Sequence, residues 1–132
     1  MVESNRLFFQ FLHKFVTLSE EEYNEYIQPS TEVRHFRKKQ IISKDNEVEN
    51  YLNFITKGLV RKYYQKGKTE INTQISTEGH IIHAQESFHS RTPSEYCVQA
   101  IEPSTMVSIT YDDLEKIYSR SHKMERLGRL VI

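Results

Sequence analysis

Apolar side chains recur at three- and four-residue spacing only near the two ends of the chain, and between those ends the pattern shortens to alternation. Leu7, Phe8, Phe11, Leu12 and Phe15 make the first stripe and predict an amphipathic helix. A second helix start follows. Ser19 and Glu22 have the spacing of a capping box, Leu18 and Tyr23 hold the staple positions around it, and Pro29 ends it. Short runs then predict strands at Val33 to Phe36, Tyr51 to Ile55, Leu59 to Tyr64, Ile71 to Ile75, Tyr96 to Ile101 and Met106 to Ile109. Within Ile71-Asn72-Thr73-Gln74-Ile75 the apolar and β-branched side chains are expected on one face and the amides on the other. Gln65-Lys66-Gly67-Lys68 and Glu102-Pro103-Ser104 carry turn chemistry. Thr110-Tyr111-Asp112-Asp113 reads as a helix N-cap, followed by Leu114, Ile117 and Tyr118 at helical spacing and a break at Ser119-Arg120-Ser121. Met124, Leu127, Leu130 and Val131 form the last stripe, which meets the C-terminus without a stop signal and reads as a helix cut short.

These elements predict one domain, mainly β: N-terminal helices over 1–30, short strands of a barrel or sandwich over 31–110, which the resemblance described next makes a β-roll, and C-terminal helices over 111–132, apparently truncated. Composition points the same way, because Val, Ile and Thr supply 29 residues and alanine only two, Ala84 and Ala100. The 18 Lys and Arg balance 18 Asp and Glu, so there is no basic surplus to displace counterions, and the chain is a poor stand-alone nucleic-acid binder. Apolar runs are only a few residues long, which excludes a membrane span. Gln10, His13 and Lys14 interrupt the N-terminal aromatics where a secretory signal would be continuous, and a single cysteine, Cys97, fits a reducing compartment; the expected location is the cytoplasm.

The order of elements resembles the cyclic-nucleotide-binding domain of Crp/Fnr-type transcription regulators, a double-stranded β-helix or jelly roll ending in an amphipathic dimerisation helix. Two segments carry the likeness: Tyr51-Leu52-Asn53-Phe54-Ile55-Thr56-Lys57-Gly58-Leu59-Val60-Arg61, and the stretch from Gly79 to Ala100. The family's phosphate-binding cassette runs Gly-Asp-x-x-Gly-Glu, a short helix, then Arg-Ser or Arg-Thr. Laid on that register, Gly79 stands at the leading glycine, His80 at the Asp, His83 and Ala84 at the Gly-Glu pair, and Ser94 and Glu95 at the Arg-Ser pair. The resemblance thus implies a ligand site around Gly79, His83, Ala84, Gln85, Glu86, Ser87, Arg91, Ser94 and Glu95 in which the phosphate-neutralising arginine and the ribose-binding glutamate are missing. Loss of one partner of a buried charge pair costs about 2–5 kcal/mol, so tight binding of cyclic AMP or GMP is not expected. Arg91, three residues before Ser94, is the one cation that could reach the same space. Asn46 replaces a turn glycine of the family and tolerates the left-handed conformation. The resemblance further implies a homodimer through Met124, Leu127, Leu130 and Val131, an unknown small-molecule effector, and DNA contact only through a C-terminal helix-turn-helix domain absent from this chain.

The remaining candidates read as structure. His80, His83, Glu86 and His89 recur every three residues, but no cysteine or second carboxylate group completes a cage, so neither a metal nor another cofactor is expected. Phe88 is the expected anchor of the cassette helix. Cys97 has no neighbouring base, and no Gly-x-Ser-x-Gly elbow or similar constellation sets a nucleophile beside one, so no catalytic residue and no enzyme activity are expected. Arg34, Arg37, Lys38 and Lys39, interleaved with His35 and Phe36, read as a solvated strand edge and turn. Two alternatives stay open: a cupin-like protein binding a metal or small molecule through the histidines, and a ligandless interaction domain.

Overall fold

The computed structural model describes residues 1–132. Helix α1 (Glu3–His13) buries Phe8 and Leu12; because it stops at His13, Phe15, the last member of the predicted stripe, falls outside the helix and is 39% exposed. The capping box closes as expected, with Glu22 N–H donating to Ser19 Oγ and Ser19 N–H to Glu22 Oε1, both at 3.0 Å. It starts α2 (Glu20–Glu22), which widens into a π turn over Tyr23–Ile27 and tightens into a 3-10 turn over Gln28–Ser30 at Pro29. Tyr23 is fully buried and its hydroxyl donates to Asn5 of α1, so the two helical segments are locked together.

Seven strands follow: β1 (Glu32–Phe36), β2 (Ile41–Ser43), β3 (Tyr51–Lys57), β4 (Leu59–Lys66), β5 (Thr69–Thr77), β6 (Cys97–Ala100) and β7 (Ser104–Thr110). They form two antiparallel sheets, ordered β1-β7-β3 and β2-β6-β4-β5, with the short helix α3 (Gln85–Ser90) between β5 and β6. Strand β2 is not among the predicted strands, because three residues are too few to show a period. The expected alternation in β5 is corrected. Thr73 is an extra residue opposite the Lys62–Tyr63 step of β4, so Ile75 pairs with Arg61 while Ile71 pairs with Tyr64, on opposite faces. Ile75 is accordingly 56% exposed.

The C-terminal helices α4 (Tyr111–Arg120) and α5 (His122–Val131) break at Ser121, which is extended and whose hydroxyl caps α5 by accepting from Met124 N–H at 3.3 Å. Two cores result. One packs α1, α4 and α5 on the outer face of β3 and β7 through Phe8, Leu52, Phe54, Val107, Ile109, Met124 and Leu127. The other fills one end of the roll with Ile55, Val60, Ile82, Val98 and Met106. No helix is long and apolar enough to cross a membrane.

Candidate functional site

In four strands the inward-facing row of the roll changes from apolar to polar one step along, from Phe36 to Arg34, Ile55 to Asn53, Val60 to Lys62 and Met106 to Ser108, and Tyr96 lies just ahead of Val98 where β6 begins. Residues two apart on a strand share a face, so the roll has an apolar floor and, above it, a polar level. The segment from Gly79 to Tyr96 lies against that polar level.

Backbone hydrogen bonds seat this segment. Gly79, at a φ of +87°, donates its N–H to the Ile55 carbonyl at 2.8 Å, and Ile82 N–H donates to the Asn53 carbonyl at 3.1 Å. Asn46 is left-handed at φ +63°, as its residue type permits, and its N–H donates to the Ser94 carbonyl at 2.8 Å. Phe88 is buried and anchors α3, while Gln85 and Glu86 are exposed. Ser87 accepts from Glu49 N–H at 2.9 Å and donates to the Thr92 carbonyl. Ser94 accepts from Tyr96 N–H at 2.9 Å and donates to the Tyr96 carbonyl at 3.1 Å, so its hydroxyl is occupied within its own turn.

A pocket of about 130 Å³ opens between α3 and the following turn, lined by Ala84, Glu86, Ser87, Thr92, Pro93, Ser94, Glu95 and Tyr96. Five of the predicted ligand residues meet there; Gly79, His83, Gln85 and Arg91 do not. The lining holds two carboxylates and no cation. Arg91 takes the left-handed position that ends α3 and turns its guanidinium away from this pocket. It donates to the carbonyls of Glu49 and Phe88, both at 2.9 Å, and to Asn50 Oδ1 at 2.6 Å, and stacks 4.1 Å from the Tyr111 ring centre. Its role is to tie α3 to the β2–β3 connection.

The polar level carries the charges. Arg37, Lys38 and Lys39 are exposed on the turn after the edge strand β1, as the basic cluster suggested, but the Arg34 side chain points inward. It donates from Nε to Ser108 Oγ at 3.1 Å and from Nη2 to Asn53 Oδ1 at 2.7 Å, with its guanidinium 3.7 Å from the centre of the Tyr51 ring. Lys62 reaches in from β4, donating to the His83 carbonyl at 3.4 Å, with Nζ 5.3 Å from the Tyr96 ring centre. Burial lowers the pKa of both cations. Glu49 is 3% exposed, and its Oε1 has no hydrogen-bond partner. Burial pushes its carboxyl up to about 7, against the opposing pull of the Ser43 hydroxyl, Arg34, the Ala84 N–H and Arg91. His83 is buried too, and loss of solvent lowers it to about 4, opposed by its bond to the Tyr51 carbonyl at 3.2 Å, which fixes a proton on Nδ1. The chain's four ion pairs all lie elsewhere.

Sequence reasoning did not single out Lys62 or Glu49. The signal for Arg34 and Lys62 was present: each is two residues from an apolar partner, Phe36 or Val60, in a predicted strand. His80, His83, Glu86 and His89 do not converge, and no three His, Cys, Asp or Glu side chains do so anywhere in the chain. In the last helix, Met124 and Leu127 turn into this chain's own core, Val131 packs at its margin, and Leu130 is 53% exposed.

A family model described as the cyclic nucleotide-binding domain matches residues 33–121. No curated protein sequence matches the chain. Among solved structures, a cyclic nucleotide-binding domain from Methylobacillus flagellatus aligns with a TM-score of 0.82 at 15% identity, covering 96% of this chain and 72% of that one. The catabolite activator protein of Thermus thermophilus aligns with a TM-score of 0.75 at 16% identity over 90% of this chain, which spans 55% of that protein's length. The sensor domain of the transcriptional regulator DNR from Pseudomonas aeruginosa aligns with a TM-score of 0.74 at 16% identity, covering 94% of this chain and 85% of that one. At these identities the likeness is one of fold.

Proposed function

The chain belongs to the cyclic nucleotide-binding domain family, and from that premise we propose that it is the ligand-sensing and dimerisation domain of a Crp/Fnr-like transcription regulator whose effector is not a cyclic nucleotide. The observation that carries this reading is the cassette pocket: Glu86 and Glu95 line it, no cation does, and Ser94, at the family's arginine position, has its hydroxyl closed on Tyr96. A cyclic phosphate there would meet negative charge without a counter-ion. At about 130 Å³ the pocket is also below the roughly 300–1,000 Å³ usual for ligands of that size.

The domain is a binding module and not an enzyme. It works in the cytoplasm as a homodimer, and binding in the roll shifts its C-terminal helices, which reorient a helix-turn-helix domain outside these residues on DNA. The likeness in fold to the longer Thermus thermophilus protein and to the DNR sensor domain supports this arrangement.

Thermal melting with cyclic AMP and cyclic GMP tests the central statement. A nucleotide held with a Kd of about 1 μM and supplied at about 100 μM would add about 2.7 kcal/mol of stability. The expected result is no rise in Tm; a rise of several degrees with either nucleotide overturns the reading.

A further inference from the structure

A carboxyl group that is 3% exposed, makes no ion pair and leaves one oxygen unbonded is costly, and its bonding is open to completion by water, an ion or a ligand. Glu49 is that group: the Ser43 hydroxyl and the Ala84 N–H are near enough to draw its pKa down, yet Oε1 is left without a hydrogen bond of good geometry. Around it the polar level gathers two cations without an anion bonded to either. Lys62 spends one N–H on a 3.4 Å contact to the His83 carbonyl, and Arg34 uses Nε and Nη2 on neutral partners while Nη1 bonds nothing within the chain. Arg34, Tyr51, Lys62, Tyr64 and Tyr96 are each only half-buried, so this end of the roll is not sealed. The aromatic faces of Tyr51 and Tyr96 already lie against the two cations.

We propose that the polar level of the roll is the binding site for a small organic carboxylate, held by the Lys62 ammonium and the free edge of the Arg34 guanidinium between the rings of Tyr51 and Tyr96. This deepens the sensor reading above and rests on it, since it takes the roll to be the effector chamber. Charge selects the class. Two cations face one carboxyl, and the planar guanidinium fork matches a carboxylate. Glu49, lifted to about 7, carries a proton about half the time at neutral pH and then adds no second negative charge beside the cations. Arg34, Lys62 and Arg91 are the charged groups that act on it from the neighbouring elements. The cassette contributes a wall, through the His83 carbonyl and Tyr96, while the cations come from β1 and β4.

Benzoate and succinate, as aromatic and aliphatic probes, test the proposal by calorimetric titration of the whole chain, with K62M and K62R compared to the unaltered protein. Lys62 is half-buried with one long hydrogen bond, so K62M is expected to fold, and its melting curve checks this. The NMR signal of the Arg34 side-chain Nε–H provides a second readout in the unaltered protein. The expected result is saturable millimolar or tighter binding of at least one probe, a shift of the Arg34 signal on binding, a loss of about tenfold or more in K62M and recovery in K62R. Absence of binding by both probes, or binding that K62M leaves unchanged, overturns the proposal. Failure of the sensor reading is separately visible: cyclic AMP binding, with or without K62M, overturns the function proposed above, while the benzoate, succinate and K62M titrations alone decide the carboxylate proposal.

Discussion

Glu49 and His83 are buried in the same level of the roll and titrate in opposite senses. The Glu49 carboxyl is raised from 4.5 to about 7, so the folded state holds a proton that the unfolded chain releases, and its contribution to stability is full below about 4.5 and lost as pH rises to about 7. The His83 imidazole is lowered from 6.5 to about 4, so its contribution is present above about 6.5 and lost as pH falls through about 4. The two slopes oppose each other between about pH 4.5 and 6.5, and the unaltered protein is expected to be nearly indifferent to pH there. Glu49→Gln removes one of them. Its stability relative to the unaltered protein should rise by roughly 3 kcal/mol between pH 4.5 and 8, at about 1.4 kcal/mol per unit of pKa shift, while the variant alone should lose stability below pH 6.5. Urea unfolding across that range measures it, and a difference independent of pH contradicts the assignment of Glu49 as a desolvated carboxyl.

The elements show where backbone geometry, and not side-chain pattern, sets the fold. Strands β3 and β4 are separated by one residue, Gly58, yet belong to different sheets, so the chain turns the corner of the roll at that glycine. Its φ is +114°, and a Cβ there would collide with both the side chain and the backbone of Ser104 at the start of β7. Gly58→Ala should therefore cost on the order of 3 kcal/mol, measured by urea unfolding, because neither the dihedral nor the backbone contact can relax cheaply; a loss below about 1 kcal/mol would show that the corner yields. Local chemistry also fixed the capping box at Ser19 and the break at Ser121, since each depends on side chains within three residues. The bulge at Thr73 escaped the pattern because alternation assumes an unbroken ladder, and the extra residue is defined only by its partner strand.

Across the whole molecule, α5 lies against α1 and α4 and the outer face of β3 and β7, and Lys123 clamps it to the α2 cap through two contacts to Glu22 at 2.9 and 3.0 Å. With Met124 and Leu127 spent in that core, a homodimer built on α5 has Leu130 and the margin of Val131 as its apolar contacts. Leu130→Asp should then weaken self-association by at least tenfold in sedimentation equilibrium without lowering Tm, since the side chain is already half in solvent; a chain that sediments as a monomer at all concentrations contradicts the dimer. The terminal helices, six of the seven strands and the mainly β character were legible in the residues, because periodicity, caps and residue identity act over a few neighbouring positions, whereas the jelly roll and the cassette register were legible only through the family resemblance. Tertiary structure alone decided that Arg91 faces Tyr111 and not the cassette, that Met124 and Leu127 turn inward, and that Arg34, Glu49 and Lys62 meet at one level of the roll. The direction of a long side chain and the charge gathered in a buried space depend on strands far apart in the chain, and no local pattern encodes which of them will be neighbours.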